Sequence, residues 1–123
     1  MYSFSRVICI ESDLVRLVGG SGHCSGTLEM KHLGEWRPVV PHFPHWNLKT
    51  SAVVCRQLDC GSTVSALTKI KRHSEHLPTW RFQSSCNGSE SSLGECGIIE
   101  SDDSVSRLEL ICSGNTNNFI LVF

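Results

Sequence analysis

The sequence predicts a small domain of short strands and one main helix, braced by disulfides, and three observations lead there. Short runs of alternating apolar residues, set off by glycines and prolines, read as strands. One stretch alone, ending in "VVCRQLDCG", has helical spacing with a glycine after it. Seven cysteines in 123 residues, none in CxxC spacing, favour disulfides over zinc-ribbon or thioredoxin-like chemistry. Disulfides persist in oxidising compartments, so the expected location is extracellular, on a cell-surface ectodomain or a secreted protein. The length suits one domain with a modest core.

Taken in order, Leu14 to Val18 reads as a short apolar strand stopped at a Gly19-Gly20 turn. Leu28, Met30 and His32 then alternate against Thr27, Glu29 and Lys31. The pattern breaks at Leu33-Gly34-Glu35 and resumes with Trp36, Pro38 and Val40, which makes a hairpin. Pro38 and Pro41 lack a ladder donor, so the second strand is expected at a sheet edge or short. Thr50 or Ser51 is expected to cap a helix through Leu58, with Val53, Val54 and Leu58 near one face and Gly61 as the left-handed stop. About two helical turns need tertiary support. Cys55 and Cys60 point about 140° apart on the helical wheel, so they serve different neighbours. From Ser62 to Pro78 the pattern fades into a polar, basic segment. "TWRFQSSC" reads as a strand through Trp80 and Phe82, "SESSLGEC" as a one-turn helix, and "SRLELIC" as a closing strand with Leu108, Leu110 and Cys112 on one face.

Eleven basic residues against twelve acidic leave a net charge of −1, which gives no sign of a nucleic-acid binder. Any electrostatic contact is therefore local. Lys69, Lys71, Arg72 and His73 form the one positive cluster, a candidate contact for polyanions such as microbial surface polymers or sulfated glycans, or else a solvated loop. Trp36, Trp46 and Trp80 fit a core role better than a binding role. Asn87-Gly88-Ser89 is an N-glycosylation sequon. His42 and His45 do not combine with Cys55 and Cys60 at zinc-ligand spacing, and there is no GxSxG elbow. No cofactor is implied.

The expected organisation is an N-terminal extension over residues 1–13, a domain over 14–113, and an exit linker with an apolar tail over 114–123. The apolar run from Val7 to Ile10 is shorter than the 7 to 15 residues or so of a signal-peptide core. The chain is thus expected to be part of a longer protein whose signal, and sister domains, lie outside it. Phe119 to Phe123 reads either as the start of a membrane span or as a greasy tail, since a full span needs about 20 residues.

The motifs "VRLVGGSGHCSGTLEM", "GEW", "WNL", "VVCRQLDCG" and "CNGSESSLGEC", with a last apolar strand ending in cysteine, resemble in their order the scavenger receptor cysteine-rich (SRCR) domain from about Val15 to Cys112. The resemblance implies an α+β fold, a curved, antiparallel-rich sheet cradling one main helix, stabilised by disulfides. It also implies the pairs Cys24 with Cys60, Cys55 with Cys112, and Cys86 with Cys96. Cys9 is left over: an artefact of the chain's start, a free thiol, or half of a bridge to another domain or chain. With six cysteines bridged, no activated thiol remains for catalysis, so the expectation is no enzyme.

Departures from the family pattern matter as much. The places of a fourth disulfide found in many members are held by Val40 and, approximately, Asp102. The places of the family's calcium carboxylates are held by Pro41, His42, Asn47, Ser106 and Arg107, and no Asp or Glu lies between Glu35 and Asp59. The cation site is expected to be lost, with Glu90, Asp102 and Asp103 as a weak remnant. The implied function is non-catalytic recognition of extracellular proteins or polyanionic surfaces. An accessory domain of a larger secreted enzyme such as a protease, or a truncated product, stays open.

Overall fold

In a computed structural model, residues 14–41, 46–70 and 78–114 are described. The elements, in chain order, are β1 (Leu14–Gly19), β2 (Ser25–His32), β3 (Glu35–Pro41), α1 (Leu48–Gln57), β4 (Thr63–Ile70), β5 (Thr79–Ser84), a 3-10 turn (Leu93–Glu95), β6 (Gly97–Asp102) and β7 (Ser106–Cys112).

Strand β2 is the hub. Along one edge it pairs antiparallel with all of β1. Its other edge is shared: Ser25–Thr27 pair with β7, and Glu29–His32 with β3. Because β7 and β3 leave the same edge at different points, the sheet curls around the helix. The full order is β4-β7-β2-β3-β5-β6, with β3 and β5 parallel and the remaining pairs antiparallel.

Alternation decides which side is buried. In β1 and β2, Val15 sits opposite Met30 and Leu17 opposite Leu28, and all four are buried. Val39, Phe82, Leu108 and Leu110 extend that inner face, and Val53, Val54 and Cys55 of α1 cover it. Trp46 packs edge-on against Phe82 at 5.9 Å between centroids, and its indole N–H donates to Ser51 Oγ at 3.0 Å.

Several expectations need correction. The helix is capped by Asn47, whose Oδ1 accepts from the Thr50 N–H at 3.1 Å. Thr50 and Ser51 lie inside it, because their hydroxyls are committed to Ser84 and Trp46 in the core. At the other end Asp59, at φ 60°, takes the first left-handed position ahead of Gly61. Strand β3 is interior to the sheet. Its prolines are accommodated because β2 pairs with Glu35–Pro38 and β5 with Val39–Pro41, so each proline closes a ladder. The segment expected to be featureless after Ser62 begins with β4, and β6 follows the 3-10 turn, also without having been anticipated.

Candidate functional site

Three disulfides fasten the helix and its surroundings. Cys55, fully buried in the last turn of the helix, is bonded to Cys112 at the end of β7, with Cα atoms 5.6 Å apart. Cys60, after the helix, is bonded to Cys24 just before β2, also at 5.6 Å. Cys86 and Cys96 close a loop at 4.7 Å. These are the pairs implied by the resemblance. The helix is therefore held from two sides, and its divergent sulfurs reach different strands.

The Cys86–Cys96 loop is built around Glu90. Its carboxylate accepts from the N–H groups of Asn87, at 3.0 and 3.2 Å, and of Gly88, at 3.1 Å. The Asn87 N–H, foremost, holds this half-buried carboxyl below its ordinary 4.5, outweighing the upward push of desolvation, with the Gly88 N–H and the Arg56 charge acting in the same direction as Asn87. Arg56 of α1 donates to the carbonyls of Gly88 and Glu90 at 2.5 and 2.7 Å, tying the loop to the helix. Asn87 itself is exposed, and its Oδ1 accepts from the Ser89 N–H and hydroxyl at 2.9 and 2.7 Å.

The charged side chains along the sheet are largely committed. The Arg16 guanidinium lies over Trp36 at 4.1 Å and pairs with Glu29 at 2.7 Å. Arg37 lies over Trp80 at 3.9 Å while bonding to Glu35 and Ser101. Trp46 and Trp80 are buried, and Trp36 is half-buried under Arg16. Of the basic cluster, Lys69 stands exposed near the end of β4. Lys71, Arg72 and His73 lie outside the described residues, as do Cys9, His42 and His45.

Among the described residues, two groups of potential metal ligands converge: His23 with Cys24 and Cys60, and Glu90 with Cys86 and Cys96. In each, the sulfurs are disulfide-bonded and offer no thiolate. Glu90 does not converge with Asp102 and Asp103. The Asp102 carboxylate, at the end of β6, accepts from the N–H of Asp103. Calcium takes six to eight oxygens, and these carboxylates do not assemble them. A cavity of about 190 Å³ lies between the start of α1 and strands β4 and β7, lined by Trp46, Asn47, Leu48, Ser51, Ala66 and Leu108. That is below the roughly 300 to 1,000 Å³ of small-molecule sites. Sequence reading missed it, because its wall includes β4.

The family model of the scavenger receptor cysteine-rich domain matches residues 18–118. This chain belongs to that family. Among SRCR relatives, the human CD5 antigen-like protein is 41% identical over 83 residues, covering 67% of this chain and 23% of the relative. The mouse CD5 antigen-like protein is 37% identical over 110 residues, 89% of this chain and 28% of the relative. Mouse T-cell differentiation antigen CD6 is 41% identical over 90 residues, 73% of this chain and 13% of that protein. The chain thus spans about a quarter of the length of the CD5 antigen-like relatives.

The crystal structure of CD5 domain III superposes with a TM-score of 0.63 at 21% identity, covering 83% of this chain and 95% of that one. The third SRCR domain of murine neurotrypsin gives 0.60 at 25% identity, covering 82% and 96%. The fold is the SRCR fold: a curled sheet, one helix and three disulfides. SRCR domains belong to extracellular or cell-surface proteins. No helix among the described residues is long and apolar enough to cross a membrane.

Proposed function

We propose that this SRCR domain is a non-catalytic recognition module of a surface receptor or secreted multidomain protein, holding extracellular proteins or polyanionic microbial or glycan surfaces. The observation that carries this reading is the family match along most of the chain, shared with the CD5-like and CD6 antigens. The physical support is the bracing. Disulfides fix the scaffold before a ligand arrives, so less ordering entropy is lost on binding. Lys69, Lys71, Arg72 and His73 supply the positive contact, and repeated domains raise its weak affinity by avidity. Residues 1–13 and 114–123 flank the module. Cys9 stays outside the three bridges, and Asn87 carries an N-glycan. Ligand capture proceeds without calcium.

The test uses the secreted chain against immobilised dextran sulfate and neutral dextran. Binding to the sulfated polymer alone is expected, weakened by salt and by the triple change Lys69→Glu, Lys71→Glu, Arg72→Glu, and unaffected by a chelator. Equal retention on both polymers overturns the charge contact, and abolition by chelator overturns calcium independence. Digestion with a peptide N-glycosidase should lower the mass of the secreted chain, and Asn87→Gln should remove that difference.

A second reading is an accessory domain of a larger enzyme. It is favoured by the match to chicken lysyl oxidase homolog 2, 32% identical over 126 residues, 97% of this chain and 16% of that protein. A catalytic domain encoded in the same full-length transcript decides for it.

A further inference from the structure

Strand β4 ends the sheet, and its outer edge has no partner strand among the described residues. It is also unusually apolar for an edge. Val64, Leu67 and Ile70 are 64%, 57% and 61% exposed. Natural sheets blunt exposed edges with charge, bulges or a cover, since free backbone donors and acceptors recruit other strands; β4 has one lysine and a register irregularity between Thr63 and Ser65, and its pairing is regular from Ser65 to Ile70. The other free edges, β1 and β6, carry charges that have partners, Arg16 with Glu29 and Glu100 with Arg81. The Lys69 ammonium on β4 has no acidic partner among the described residues. No carboxylate occurs on β4 itself, and the sequence beyond it continues with Lys71 and Arg72.

The register with β7 sorts the strand into two faces. Ala66 and Thr68 sit opposite Leu110 and Leu108 on the helix side, while Leu67 and Lys69 sit opposite Glu109 and Arg107 on the other face, where Leu67 and Lys69 are exposed and Arg107 is buried. The helix side holds the cavity formed by Trp46, Leu48, Ala66 and Leu108 together with Asn47 and Ser51. Its polar members are already used, Ser51 Oγ by the Trp46 indole and Asn47 Oδ1 by the Thr50 N–H. What remains is an apolar recess beside a free strand edge, with Leu48 at 70% exposure in its wall.

We propose that β4 and this recess bind an extended segment of a partner protein, which joins the sheet as an added strand. An aliphatic side chain enters the recess and a carboxylate stands beside Lys69. Main-chain hydrogen bonds supply affinity and the recess selects the side chain, as in strand addition generally. The inference rests on the recognition reading and names its partner as an acidic, aliphatic peptide strand. A sulfated glycan would use Lys69 and leave the edge and recess unused. A second copy's β4 would bring another Lys69 but no carboxylate.

The experiment titrates the secreted chain with a synthetic peptide of about ten residues alternating valine with aspartate. Two counterparts carry N-methyl groups on the backbone nitrogens of one edge or of the other, and dextran sulfate runs in parallel. Expected are saturable binding, slowed amide exchange over Val64–Ile70, and loss of binding on N-methylation of the pairing edge. Leu48→Asp and Lys69→Glu should each weaken the peptide about tenfold, and Ile98→Asp on the β6 edge should leave it unchanged. Both test positions are exposed, and an acid in the first helical turn is favourable there, so folding is preserved. Equal binding by peptides methylated on either edge, protection elsewhere than β4, or no uptake at millimolar peptide overturns the proposal. So does protection of β4 by self-association alone. Dextran sulfate retained without peptide binding leaves the recognition reading standing and removes this one; loss of both removes both.

Discussion

Leu33 stands in the two-residue loop between β2 and β3, where it and Gly34 have φ values of 53° and 81°. Two positive φ values suit the right-handed twist of a tight hairpin, and asparagine followed by glycine is the favoured pair. The break in alternation at this point was readable, but the left-handed leucine was not, because leucine is a poor occupant of that region. Its side chain is 80% exposed and contributes little packing in return. Leu33→Asn is therefore expected to stabilise the domain by about 0.5 to 1 kcal/mol, seen as a higher thermal midpoint. A lower midpoint would mean that Leu33 packs on something beyond the described residues. Glu90 gives a pH signature. Its folded pKa is depressed, so its contribution is present above the unfolded value and is lost as pH falls through the folded one. On acidification below the ordinary 4.5, the amides of Asn87 and Gly88 should lose protection against exchange relative to the intrinsic rate at each pH, and Glu90→Gln should abolish that dependence. A loop equally protected at pH 3 and pH 7 would contradict the assignment.

Elements with one buried face were legible, and elements without one were not. β1, β2, β5 and β7 alternate, and α1 gathers Val53, Val54 and Cys55 on its buried side, so period alone locates them. β4 places its exposed aliphatics at 64, 67 and 70, three apart, and a register irregularity falls between Thr63 and Ser65, so no period of two survives. β6 is an edge with Ile98 facing solvent. The candidate edge and recess were illegible for the same reason, because they depend on where β4 ends up. The helix start was misplaced because Thr50 and Ser51 are good caps by type, while Asn47 alone precedes the first turn free of core hydrogen bonds. Gly97 shows how closely β6 meets the core, since a Cβ there would collide with the Phe82 ring, which is fully buried. Gly97→Ala should cost about 1 to 3 kcal/mol through overpacking, read as a lower urea midpoint at unchanged slope. An unchanged midpoint would show that Phe82 has room to turn.

For the whole molecule, residue types alone leave about 15 ways to pair six cysteines, and only the resemblance to the family chose among them. The bridges differ in the loops they close: 57 residues for Cys55–Cys112, 36 for Cys24–Cys60 and 10 for Cys86–Cys96. On the chain-entropy relation these correspond to about 4, 4 and 3 kcal/mol, against a net stability of about 5 to 15 for a domain. Location widens the gap between the first and the last. Cys55 lies in the last turn of the helix, fully buried in the core with Val53, Val54 and Leu110, so its removal also leaves a void there. Cys86 and Cys96 are buried as well, at 7% and 5% exposure against 0% for Cys55, but they close a short loop that Arg56 and Glu90 hold independently. The double change Cys55→Ala, Cys112→Ala should therefore leave little folded protein in the secreted fraction. Cys86→Ala, Cys96→Ala should be secreted folded, with a lower thermal midpoint and faster exchange confined to the loop. If the two double variants lost stability equally, loop length and core position would not govern how this fold is held. The stiffness invoked for ligand recognition would then have to come from the sheet rather than from the bridges.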